Sequence, residues 1–217
     1  MQESGEGRRR KTRDRILEAA RELFNEQGEA NVTLAAIGEH LGISEGNVWY
    51  HFHTKHDVIF ELFKELQVRI TANQQHDLSD LSQIQDLQGQ GFRLIWEYRF
   101  LFRDHINWAV AQREVHEQLV ALTTQGHAFI ERVLARLCQL ELLRVPEREL
   151  PMLATNIWIV QRYWLDYCQS RNEQGQITER DIQKGLQQVR ALILPYLAPE
   201  GRHLLGSSDQ APNARER

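Results

Sequence analysis

Asn47, Trp49, Tyr50 and His51 crowd one short stretch and Lys55 follows closely, offering an amide, an indole N–H, a phenol, an imidazole and an ammonium. Such groups suit reading a surface better than breaking a bond. An asparagine amide donates and accepts at once, which matches adenine in the major groove, and one good bidentate contact discriminates by about 1 to 3 kcal/mol. Glu45 and Gly46 precede Asn47 on the same predicted helix turn. An acidic Glu45 either accepts from cytosine N4 or points away. Gly46, lacking a side chain, lets the backbone come close to the sugar-phosphate surface. The indole of Trp49 can donate one N–H to a phosphate but cannot accept.

The elements that must position these residues are legible in the surrounding spacing. Leu34, Ile37 and Leu41 fall on one helical face, Gly42 supplies a φ > 0 stop, and Ser44 can cap the next helix. Val48 and Phe52 then give that second helix an inner stripe. Two short helices meeting at a tight corner form a helix-turn-helix, in which the second helix enters the major groove and the first crosses the backbone. Thr33 caps the earlier helix and can add its hydroxyl, or the N–H groups behind it, to a phosphate.

These residues carry a family resemblance. GISEGNVWYHFHTKHDVI, residues 42–59, is similar to the signature of the TetR (tetracycline repressor) family, commonly G-V-S-x-G-x-L-Y-x-H-F-x-x-K-x-x-L. Gly42, Ser44, Gly46, Asn47, Tyr50, His51, Phe52 and Lys55 sit in register, and ILEAARELFNEQGEANVTLAAIGEHLG resembles the family's first two helices. The likeness covers roughly residues 12 to 58, with a further local match in WEYRFLFRD, Trp96 to Asp104, to a segment of one subgroup. It implies that Trp49, Tyr50 and His51 contact phosphates or thymine methyls and that Lys55 binds a phosphate. Two departures stand out: Trp49 replaces the usual tyrosine, and Glu45 stands where many relatives carry lysine or arginine. The resemblance also implies a homodimer paired through its last two helices, a small effector in the C-terminal domain, and release from a near-palindromic operator when the effector binds.

A chain of 217 residues is long enough for such a module and a second helical domain with its own core. The formal net charge of −4 announces no nucleic acid partner, so the location of charge matters more than its sum. Arg8, Arg9, Arg10, Lys11, Arg13, Arg15 and Arg21 face only Asp14 and Glu18 over their span, a local basic arm suited to phosphates. Cys138 and Cys168, the two cysteines, suggest neither a zinc knuckle nor a disulfide framework. No apolar run reaches the ~18 residues of a membrane span, and no signal-like segment opens the chain, so the expected location is cytoplasmic.

The predicted fold class is all-α: a basic arm at 1–11 expected to be disordered, a three-helix DNA-binding domain at 12–58, a helical effector-binding and dimerisation domain at 59–198, and a disordered tail at 199–217. Thr54 caps a fourth helix carrying Val58, Ile59, Leu62, Phe63, Leu66 and Ile70. Helical pattern returns from Phe92 to Trp108 and from about Arg113 to Leu143. The last two helices cover about Met152 to Ser170 and the stretch from the Thr178 cap to about Leu197. Their Ile157, Ile159, Val160, Trp164 and Leu165, with Ile182, Leu186, Val189, Leu192, Ile193 and Tyr196, offer more apolar surface than one packing face needs. Trp96, Phe100, Phe129, Trp158 and Tyr163, joined by Phe92, Trp164 and Tyr167, could line an effector cavity, with Arg99, Arg103, Asp104, His105 and Asn107 as polar groups. An aromatic at helical spacing is more often core than pocket, so each alone carries little.

Other chemistries find less support. His51, His53 and His56 match no standard metal site, and neither do His105, His116 and His127 at eleven-residue intervals. No cofactor is implied. A phosphate loop, a nucleophile elbow and HExxH are all missing from the sequence, which argues against an enzyme. A helical protein-interaction adaptor is the other alternative, but it has no use for Asn47, Tyr50, His51 and Lys55 beside a basic arm.

Overall fold

The computed structural model describes residues 3–75, 78, 81–103, 113–171 and 177–206, and among them every regular element is helical, with one isolated antiparallel bridge between Leu143 and Leu197. Helix α1 spans Glu3–Gln27. The arm expected to be disordered over 1–11 is therefore helical from Glu3. Arginine and lysine, which fill the arm, are good helix formers. Ile16, Ala19, Ala20, Leu23 and Phe24 bury one face of α1. At Gly28, φ is +81° and the amide donates to Phe24 O at 3.1 Å, which turns the chain into a 3-10 segment at Glu29–Asn31.

Helix α2, Leu34–Leu41, begins where Thr33 Oγ1 accepts the Ala36 amide at 3.1 Å. It ends at Gly42, which is left-handed with φ 66° and ψ 31°. A Cβ on Gly38 would lie 3.0 Å from Ile43 O and 3.3 Å from Val48 Cγ2, so this mid-helix glycine admits α3 at close range. Helix α3, Glu45–His51, starts under Ser44 Oγ, which accepts the Asn47 amide at 3.2 Å. Helix α4, Lys55–Gln74, follows a reciprocal cap: Asp57 N donates to Thr54 Oγ1 at 3.1 Å, and Thr54 N to Asp57 Oδ2 at 2.9 Å.

The chain packs as two compact units. The first holds residues 1–72 with 94–118, and the second holds 73–93 with 119–217, so the packing does not divide at residue 58. Within the first unit, Asn25 holds the chain around Tyr98. Helix α5, Leu81–Glu97, gives way at Tyr98 to a short α6, Arg99–Arg103. Phe100 N, which in a continuous helix would bond Trp96 O, instead donates to Asn25 Oδ1 at 3.1 Å. Glu97 O accepts from Asn25 Nδ2 at 2.7 Å, and Trp96 O accepts from the Arg99 guanidinium at 2.9 Å. The break thus leaves none of these three groups unsatisfied. Phe100 packs on Phe24 with ring centroids 5.2 Å apart, and fully buried Tyr98 lies under the guanidinium groups of Arg21 and Arg69. One helix from Phe92 to Trp108 was expected; the interruption at Tyr98 corrects it, and residues 104–112 lie outside the described ones.

In the second unit α7 spans Arg113–Gln139, α8 Leu150–Ser170 and α9 Glu179–Ile193, with a 3-10 turn at Leu194–Tyr196. Thr178 and Asp181 form the capping box that opens α9. Residues 199–206 are not a disordered tail but a further helix, α10, Pro199–Gly206. Its entry is pinned where Ala198 N donates to Leu142 O at 3.0 Å and Arg144 N to Tyr196 O at 2.8 Å. Gly201 sits so close to Leu142 O that a Cβ would collide with it. No helix among the described residues is long and apolar enough to cross a membrane.

Candidate nucleic-acid interface

Helix α3 spends its inward face entirely on the core: Val48 and Phe52 are buried. Glu45, Gly46 and Asn47 in the first turn are exposed, and Trp49 and Tyr50 are 57% and 58% exposed. Two large aromatic groups left this open side by side form a surface of the kind that marks interaction sites. Thr33 and Ser44 are also exposed, each hydroxyl accepting a backbone N–H and keeping its own O–H for donation.

The aromatic side chains are braced rather than loose. Trp49 meets His53 edge-on at 4.5 Å, Tyr50 meets His51 edge-on at 5.3 Å, and His56 stacks with Phe60 at 6.4 Å. Three histidines close in sequence thus lie against three different aromatic neighbours. From α1, the Arg9 guanidinium stands 4.8 Å from the Tyr50 ring centroid, and that of Arg13 lies 5.1 Å from the Phe52 ring while bonding Glu61 Oε2 at 2.5 Å. Burial, with Arg9 and then Arg13 adding repulsion, holds the His51 imidazolium below its ordinary pKa. His51 is therefore a neutral ring near pH 7, with one N–H to donate and one nitrogen to accept.

Lys55 is held from within. Its Nζ donates to Glu29 O at 2.9 Å and lies 2.7 Å from Glu29 Oε1, with side chains 30% and 20% exposed respectively. The sequence signal gave the lysine and missed its counter-ion, because Glu29 lies far back in the chain. The same holds for Arg9 and Arg13, whose ring contacts depend on α1 being continuous through the arm.

Trp96, Arg99 and Phe100 belong to the first unit, whereas Phe129, Trp158 and Tyr163 belong to the second. Phe100 is core packing on Phe24, and Tyr163 is half exposed on α8 with the Arg162 guanidinium 4.8 Å from its ring. Arg99 stands 4.3 Å from the Trp96 ring, Arg132 stands 5.5 Å from the Phe129 ring, and Trp158 presses on Gly126, where a Cβ would lie 2.5 Å from its ring. Phe92 and Trp164 close on Gly185, again too tightly for a Cβ. The side chains of Arg103, Asp104, His105 and Asn107, and that of His116, lie outside the described residues.

The surplus apolar surface coincides with the expected one only at Ile159 on α8. Ile157, Leu165, Ile182, Val189 and Ile193 are consumed inside the second unit. Met152, Ile159, Tyr163 and Tyr167 instead form an outward stripe along α8, with Leu194 exposed after α9.

Residues 16–62 match the family model described as bacterial regulatory proteins, tetR family, and residues 62–205 match a bacterial transcriptional repressor model of the same family. A TetR-family transcriptional regulator from Marinobacter aquaeolei VT8 is 30% identical with a TM-score of 0.79, covering 90% of this chain and 96% of that one. A transcriptional regulator from Saccharomonospora viridis, solved in complex with choline, shares the fold at 17% identity and a TM-score of 0.64, covering 85% and 96%. The HTH-type transcriptional regulator UidR of Escherichia coli K12 is 39% identical over 61 residues, 28% of this chain, and the match spans about a third of that relative's length, 31%. With the helix-turn-helix in the matched N-terminal segment and the second model covering the rest, the chain belongs to the TetR family of DNA-binding, helix-turn-helix transcriptional regulators.

Proposed function

We propose that the protein is a homodimeric repressor that binds a near-palindromic operator and leaves it when a small molecule occupies the second unit. The observation that carries the DNA-reading part is the division of labour on α3, where Val48 and Phe52 are buried while Asn47, Trp49 and Tyr50 face outward. Asn47 reads a base, Thr33, Ser44 and His51 meet phosphates, Trp49 and Tyr50 cover sugar and thymine methyl, Gly46 allows close approach, and Glu45 tunes the choice of base. Lys55, at the start of α4, adds a phosphate contact.

The stripe of Met152, Ile159, Tyr163 and Tyr167 supports pairing of two copies through α8 and α9. A two-fold pair can set its recognition helices about 34 Å apart, one turn of B-form DNA, which is why a palindrome follows from a dimer. The effector acts by preferring a conformation in which α4 has shifted and the two heads are misspaced. It weakens binding only by its own preference between the two states, commonly about 1 to 3 kcal/mol. The choline-bound neighbour supports a small-molecule signal of some kind.

Selection of duplexes from a random pool by the purified protein, followed by sequencing, tests the reading. Enrichment of an inverted repeat with half-sites about 10 base pairs apart, or a multiple of that, is the expected result. Recovery of unrelated sequences at every salt concentration would refute it.

A further inference from the structure

We propose that Glu29 is a built-in stand-in for a DNA phosphate: it occupies Lys55 in the free protein and gives it up when the operator arrives. The inference rests on Lys55 being a phosphate contact, as in the proposed function. Gly28, at φ +81°, turns the chain out of α1 and sets Glu29 at the head of the 3-10 segment, from which both its carbonyl and its carboxylate reach the first residue of α4.

The two contacts have different consequences. Glu29 O accepts from Lys55 Nζ at 2.9 Å and from Val32 N at 3.2 Å, so it is fixed by the turn itself. The Glu29 carboxylate, 2.7 Å from the ammonium, is on a flexible stem at a partly exposed position. An ammonium has three donors, and a phosphate needs one or two of them in a set direction. The carbonyl keeps Lys55 in place while the carboxylate is exchanged for a phosphate oxygen of the same charge and similar geometry. Trading one anion for another lowers the gain from any duplex, whatever its sequence, because phosphate contacts position without reading bases. Glu29 thus restrains non-specific binding and leaves the contribution of Asn47 untouched, which raises the share of affinity that depends on sequence.

A double-mutant cycle tests this by fluorescence anisotropy over a salt series, using a mixed-sequence duplex and the duplex selected from the random pool. Glu29→Gln keeps the turn and an oxygen for Lys55 while removing the charge. It is expected to bind both duplexes about 3- to 10-fold tighter, with a salt slope steeper by up to about 0.9, the increment of one further phosphate neutralised. In a Lys55→Ala background the same change should alter affinity by less than about 2-fold. Glu29→Asp, which keeps the charge but shortens the reach, should fall between wild type and Glu29→Gln. An equal gain with and without Lys55 would overturn the exchange, since Glu29 would then act only as diffuse charge. Weaker binding of both Glu29 variants with a lower Tm would overturn it as well, making the pair a structural clamp. Wild-type protein that binds no duplex at any salt concentration would instead be a failure of the proposed function.

Discussion

Two helices of this molecule, α3 and α8, leave large side chains about half exposed, yet their surroundings differ. Trp49 and Tyr50 on α3 stand among Asn47, Glu45, His51 and the Arg9 guanidinium, a mixture of donors, acceptors and positive charge. Met152, Ile159, Tyr163 and Tyr167 on α8 form a longer apolar row. Exposure alone does not name a partner; the groups beside it say which kind a surface would suit. The α3 surface suits a hydrated, anionic groove, and the α8 surface suits another apolar face such as its own copy.

The largest effect that would break this contrast comes from α8. Ile159→Asp, placing a charge in the middle of the stripe, is expected to yield a monomer in sedimentation velocity and to lower operator affinity on the order of 100-fold or more, because the second half-site is no longer tethered to the first. An unchanged sedimentation coefficient would remove the pairing role from the stripe. Next comes Asn47→Ala, which should relax preference at one base pair by about 1 to 3 kcal/mol while random DNA binds as before. Equal losses on selected and random duplexes would show that Asn47 does not read a base.

Gly42→Ala sharpens the comparison from a different side. At φ 66° with nothing within 4 Å of an added Cβ, the cost is backbone strain alone, about 1 to 2 kcal/mol of unfolding free energy. Chemical denaturation should register it while the base preference of the folded protein stays the same; a shifted preference would mean the corner, and not only the side chains, sets the reading. The smallest expected effect is that of His51. Its folded pKa is depressed, so the unfolded chain binds more protons at mildly acid pH, and stability rises with pH through that window. The contribution is complete above the unfolded value of about 6.5 and is lost as the pH falls towards the folded pKa. His51→Gln should flatten that part of a urea-midpoint profile measured between pH 5 and 8.

The DNA-binding head was open to reading because its determinants are local. The caps at Thr33, Ser44 and Thr54, the left-handed Gly42 and the inward Val48 and Phe52 all act within a turn or two of themselves. The expected effector residues were harder to read for the opposite reason. An aromatic side chain at helical spacing carries no label saying whether it fills a core, as Phe100 does against Phe24, or faces outward, as Tyr163 does. The order of the basic arm and of residues 199–206 was likewise hidden: one depends on helix propensity overriding charge repulsion, the other on Gly201 meeting Leu142 O.

By itself the sequence determined the all-α fold class, the corner between α2 and α3, and which side chains of α3 turn away from the core, since hydrophobic period, capping chemistry and glycine conformation act over a few residues. Tertiary structure alone decided the rest. Asn25 satisfies the backbone at a helix break more than seventy positions later, and Glu29 reaches across to hold the ammonium of Lys55. Such long-range hydrogen bonds depend on how the chain returns to itself, which no local pattern encodes.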